Sequence, residues 1–256
     1  MAKTSKFQTI YDITPSIVFP LPIWNILDAD HPALPDDIAR IYPEIKNYAT
    51  EFLCAKHPYR KGPVCPFVPS AIEKGLFYFS YLLHEDEDIV CDGVIKLINW
   101  LSEVKLKINS FISLMIMFPE DFDLSSLLKI HHRCKIYSIE RNIMTGATYG
   151  INQAQSLHKE DYFPLRTPSP CLILRDLTPH DLIFLNPKQY KISQRLQFLK
   201  SFETVFGNEK IKYTALQVAK AKDLINVYTK RSRKYKIACS LVAIIASIAG
   251  IFYVFK

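Results

Sequence analysis

Along most of the chain apolar residues recur every three or four positions, and these stretches are broken by short runs that are apolar or aromatic throughout. After Asp36 and Asp37, which suit a helix start, Ile45, Tyr48, Ala49, Phe52 and Leu53 form one stripe, with Pro43 as a break or a second start. Gly75 leads into LFYFSYLL, whose aromatic content predicts a strand. In EDEDIVCDGVIKLINWLSEVKLK acids fill the first turn, and Val90, Val94, Leu97, Ile98, Leu101 and Val104 mark an amphipathic helix. FISLMIMFP is apolar until Pro119, as a strand covered on both faces would be. Another helix is expected after Asp123, with Leu127, Ile130, Cys134, Tyr137, Arg141 and Met144 on one face.

An irregular stretch over roughly 146–169 separates that helix from a third strand, PCLILRD. Asn186 and Pro187 form an N-cap and first-turn pair, Ile192, Leu196, Leu199, Phe202 and Phe206 supply a buried stripe, and Gly207 closes the helix. The alternation predicts an α/β or α+β domain with helices packed on a small sheet, plus one C-terminal transmembrane helix. Residues 1–34 form an arm without a clear period that drapes over the core and has room for a further strand. The cytosolic domain spans 35–207, an amphipathic and basic juxtamembrane helix 208–236, and a membrane anchor 237–255. Within 211–236 the seam of Ile211, Ala215, Val218, Ala221, Ile225 and Tyr228 either pairs with a second copy, giving a homo-oligomer, or folds back on the domain.

The anchor is expected because IACSLVAIIASIAGIFYVF, Ile237 to Phe255, is nineteen residues without a charge. As a helix it spans about 28 Å, close to the hydrocarbon thickness of a bilayer. Lys230, Arg231, Arg233, Lys234 and Lys236 precede it, so the N-terminal domain is expected in the cytoplasm of a single-pass, tail-anchored protein with the lipid bilayer as its partner. No secretory signal is read at the N-terminus, and the six cysteines are expected as reduced thiols. A net charge of +7 raises the question of a nucleic-acid partner. Taking these five positives and Lys256 from the 32 basic residues leaves 26 against 25 acidic ones, so the rest carries only +1 and no nucleic-acid partner is expected.

Candidate chemistry gathers in HPYRKGPVCPFVP, residues 57–69. A thiol reacts as its thiolate, which positive neighbours favour, so Cys65 beside His57, Arg60 and Lys61 is a candidate nucleophile or ligand. The plainer reading has Pro58, Pro63, Pro66 and Pro69 stiffen a loop that wedges Phe67 and Val68 into the core. No metal site is expected: His131 and Cys134 lie three apart on one helix, but no CxxC pair or HExxH accompanies them. The G-x-S-x-G and phosphate-loop motifs are missing as well. Arg166 and Arg175 are candidates for holding an anionic substrate by bidentate bonds. Alternatively Arg175 pairs with Asp176 or Asp181 while TPHD caps a helix.

HPYRKGPVCPFVPSAIEKG, RNIMTGATYG and DYFPLRTPSPCLILRDLTPHDLIFL together resemble an uncharacterised bacterial domain family with a GPVCPFVP-type signature, over roughly 35–205. Where that family is expected to have a Phe-His-Pro step after the glycine, this chain has Thr148, Tyr149 and Gly150. More distantly, the CPF step is similar to the YqcI/YcgG family, some of whose members are haem-dependent N-hydroxylating enzymes. That resemblance implies haem as a cofactor, with Cys65 or Tyr149 as axial ligand. Two functions are therefore expected in competition. One is a small-molecule oxidoreductase with Cys65 and Tyr149 catalytic and Arg60, Arg166 and Arg175 on the substrate; the other is a non-catalytic, membrane-anchored interaction protein.

Overall fold

The structure is a computed structural model that describes residues 8–10, 21–28, 31–108 and 110–254, with side chains over 21–28, 31–108 and 110–233. Two units meet at the Leu177–Thr178 boundary. In the first, the N-terminal arm, where it is described, is sheet rather than drape. β1 (Gln8–Ile10) pairs antiparallel with β2 (Leu21–Asn25), which pairs antiparallel with β3 (Phe77–Tyr81). β2 sends Leu21 and Ile23 to one core and Trp24 to the other, and Trp24 Nε1 donates to Tyr42 Oη at 3.1 Å. A five-residue strand containing Pro22 has too short a period to register in the sequence, but burial on both faces fixes it.

Between β2 and β3 run α1 (Asp36–Asn47), a π-helical turn at Tyr48–Phe52, and α2 (Val68–Glu73). α3 (Glu87–Lys107) then crosses to β4 (Ser113–Met117), which lies parallel to β3 in full register. Asp86 caps α3 by accepting from Asp88 N and Ile89 N. α4 (Leu124–Glu140), capped by Asp123, leads to β5 (Ile143–Thr148) and β6 (Cys171–Asp176). The strand order is β1-β2-β3-β4-β6-β5, a five-strand mixed sheet extended by β1. With β3 and β4 parallel and the other pairs antiparallel, the domain is α+β.

The helix expected to carry Arg141 and Met144 ends at Glu140. Asn142, at φ 60°, turns the chain, and Met144 sits in β5 opposite Arg175. IMTGAT lengthened the helical stripe only by coincidence of spacing, and pairing with β6 outweighs that local pattern. Every residue of β4 is buried, with Leu114 and Ile116 in the core under α3 and α4, and Met115 and Met117 in the core under α1. This is the strand covered on both faces that its sequence predicts.

In the second unit the TPHD stretch caps a 3₁₀ turn (Pro179–Phe184), Asp181 Oδ2 accepting from Thr178 N at 2.8 Å. α5 (Ile192–Phe206) starts later than Asn186–Pro187 suggested, and Asn186 Oδ1 instead accepts from Tyr228 Oη at 2.7 Å. α6 (Lys212–Val254) packs on α5 with Val218 and Ala221 buried, so part of the seam offered for pairing with a second copy is used inside the chain. Among the described residues no helix is long and apolar enough to cross a membrane. The predicted span, 237–255, lies outside the residues whose side chains are described.

Candidate functional site

The loop His57–Pro69 is pinned by its own backbone. Val64 N donates to Ala55 O, Cys65 N to Leu53 O and His57 N to Gly62 O, all within 2.9 Å. Gly62 holds φ 90°, which side-chain-bearing residues rarely adopt. The Arg60 guanidinium donates to the carbonyls of Lys61, Pro63 and Val64, so it braces the loop. His57 is buried, and its Nδ1 accepts from Tyr59 N at 3.0 Å. Burial, with Arg60 and His158 nearby, lowers its pKa, which favours the neutral ring. Of the three basic residues expected to favour a Cys65 thiolate, Arg60 is thus committed to carbonyls and His57 is held toward neutrality, which leaves the exposed Lys61.

The loop meets the irregular 149–169 stretch at an aromatic cluster. The His57 ring lies 5.1 Å from that of Tyr162 and 5.6 Å from that of His158, and Tyr59 lies 5.7 Å from Tyr162. Tyr162 reaches Phe52 at 6.4 Å, and Phe52 stacks on Tyr48 at 5.4 Å. Tyr48 Oη donates to Pro164 O at 2.7 Å, and burial drives its pKa upward, keeping the phenol protonated as that donor. In the π turn Leu53 N–H reaches five residues back to Tyr48 O, a wider turn of the kind common at functional sites.

Beside this cluster lies a cleft of about 490 Å³, within the size range of small-molecule sites. One wall is a face of α1 and the π turn: Glu44, Asn47, Tyr48, Glu51 and Phe52. The other is Gly150 with Arg166, Thr167 and Pro168. Arg166 Nε donates to Asn152 O at 3.0 Å, and its guanidinium lies 3.9 Å over the Phe163 ring, which together fix its direction. Its terminal nitrogens have no protein partner among the described residues, so Arg166 retains the fork that binds carboxylate or phosphate.

The other proposed site residues do not converge on it. Cys65 packs against the core under α1, whereas Tyr149 packs against the core under α3 and α4, on the opposite face of the sheet. Gly150 rather than Tyr149 faces the cleft. Arg175 donates to Asp176 O at 2.9 Å and lies 5.9 Å from the Phe67 ring, itself stacked on Phe111. It is not among the residues that line the cleft beside Arg166. Neither Cys65 nor Tyr149 lines the cleft beside Arg166, and they pack on opposite faces of the sheet, so among the described residues the two do not form one haem site. Glu44, Glu51, His158 and Tyr162 were not expected here; the spacing 44, 47, 48, 51 on one helix face was the only signal for the two glutamates, and nothing in the sequence marked His158 and Tyr162.

These features define an α+β domain with an open, largely apolar cleft, rimmed by Glu44, Glu51 and Arg166, beside two loops in contact. Residues 42–214 match the domain of unknown function DUF6875, and the chain belongs to that family. Searches of curated proteins and of solved structures return no match.

Proposed function

We propose that the protein is a membrane-tethered binding module, its body facing the cytoplasm and its cleft taking a small anionic ligand at Arg166. The observation that carries the tether is the unbroken course of α6 from Lys212 to Val254. One helix of about 64 Å joins the folded second unit to the basic cluster and then to the uncharged run 237–255. In alkaline carbonate extraction the full chain should stay with the membrane pellet, and protease should digest its bulk only from the cytoplasmic side. Release by carbonate removes the tether, and protection on that side reverses the orientation.

The competing reading is a small-molecule oxidoreductase, which the similarity to the YqcI/YcgG family would make haem-dependent. It is supported by the same observation, an anion-directed Arg166, but it has no gathered redox centre. It requires a Soret band that Cys65→Ser or Tyr149→Phe abolishes; a colourless protein after haem supplementation leaves the binding module.

A further inference from the structure

We propose that Cys54 and Cys65 are a redox-active dithiol, a modification site that a small-molecule disulfide closes into a bridge at the base of the proline-rich loop. The inference is independent of the reading of the cleft as a ligand site. The chain leaving the π turn and the chain returning after Gly62 run antiparallel, with Lys56 opposite Pro63. His57 N donates to Gly62 O and Val64 N to Ala55 O, both at 2.8 Å. Two residues further along this ladder Cys54 stands opposite Cys65, and just beyond it Cys65 N donates to Leu53 O at 2.9 Å. Residues opposed in an antiparallel pair have Cα atoms about 4.5–5.5 Å apart, inside the range of about 4.4–6.8 Å that a disulfide spans. Both cysteines are free thiols, partly buried, and both pack on the core under α1, so their side chains leave the pair on the same side.

The two thiols differ in readiness. Cys54 Sγ donates to Ala49 O at 3.5 Å, and burial, then the neighbouring Cys65 and Glu51, raise its pKa, so Cys54 keeps its proton while Cys65 attacks first. The Cys65 thiolate displaces one glutathione thiolate from glutathione disulfide and is left joined to the other half. The Cys54 sulfur, giving up its proton, then attacks the Cys65 sulfur and displaces the second glutathione. Two protein thiols are oxidised, one disulfide is reduced to two thiols, and the two protons leave on the glutathiones. Cys91 and Cys134 also adjoin, Cys134 Sγ lying 3.9 Å from Cys91 O, but both are buried and burial pushes the Cys134 thiol up, so an oxidant in solution does not reach them.

The test equilibrates the full chain in lipid nanodiscs with glutathione and glutathione disulfide at a series of ratios, quenches with acid, alkylates the remaining thiols and digests with trypsin. Cleavage after Lys46, Lys56, Lys61 and Lys74 separates the two cysteines, so the bridge appears as Asn47–Lys56 joined to Gly62–Lys74, two hydrogens lighter than their sum and parted by dithiothreitol. Cys91, Cys134 and Cys171 should be recovered as thiols, and Cys54→Ser should halt at a glutathione adduct on Cys65. At fixed glutathione, half-oxidation of the folded chain should need at least about tenfold less glutathione disulfide than the same chain in urea, because the ladder holds the thiols together. If the folded chain keeps both thiols free in the most oxidising buffer, carries only glutathione adducts, or links either cysteine to a different one, the dithiol is overturned. A half-oxidation ratio no lower than in urea overturns it as well, since linkage would then follow from sequence proximity alone.

Discussion

Arg60 is a cation whose charge stays within its own loop, divided among three carbonyls. Its position near Cys65 was readable from spacing, but the direction of its fork was not, because a side chain's hydrogen-bond partners depend on where the backbone turns. His131 is a similar case. Its place on one helix with Cys134 was legible, whereas its contact, Nε2 at 3.0 Å from Thr145 O, depends on a strand that the helical period had concealed. Burial, with Lys135 close by, lowers the His131 pKa to about 4. The folded state therefore resists a proton that the unfolded chain accepts near pH 6.5, and the stability this group contributes is complete above 6.5 and lost as pH falls toward 4. Urea midpoints measured from pH 7 to pH 4 should fall by the equivalent of no more than about 3 kcal/mol from this group. His131→Gln, which keeps a donor for Thr145 without titrating, should flatten that part of the curve.

Helices declared themselves by period and cap. Asp86 and Asp123 were visible as acidic starts, and both accept hydrogen bonds from backbone N–H groups of the first turn. Asp123 Oδ2 takes Ser126 N at 2.7 Å, so Asp123→Ala should cost about 1 kcal/mol, readable as a lower denaturant midpoint with an unchanged slope. Asp123→Asn should recover most of the loss. Strands divided by environment. β4 announced itself because a strand buried on both faces needs apolar residues at every position. β2 and β5 did not: one is five residues with a proline, and the other reads IMTGAT, where Gly146 and two threonines dilute the signal. Both are strands because neighbours pair with them, a long-range cause that no local window contains.

At the scale of the whole molecule, the charge is concentrated before the uncharged run on a single helix, α6. If that cluster sets the orientation, changing Lys230, Arg231, Arg233, Lys234 and Lys236 to Gln should give a mixed topology. A glycosylation acceptor at the N-terminus would then be modified in part of the population, and should stay unmodified in the parent chain.

The chain by itself determined the apolar run, its basic flank, the helical faces and the doubly covered strand, because composition is read directly and burial acts on period within one element. Which reactive side chains meet was decided only by tertiary structure. Cys65 and Tyr149 lie on opposite faces of the sheet, while Glu44, Glu51 and Arg166, from 44 to 166 in the chain, line one cleft. Strand pairing and the two faces of a pleated sheet set those distances, and they join residues that sequence spacing keeps far apart.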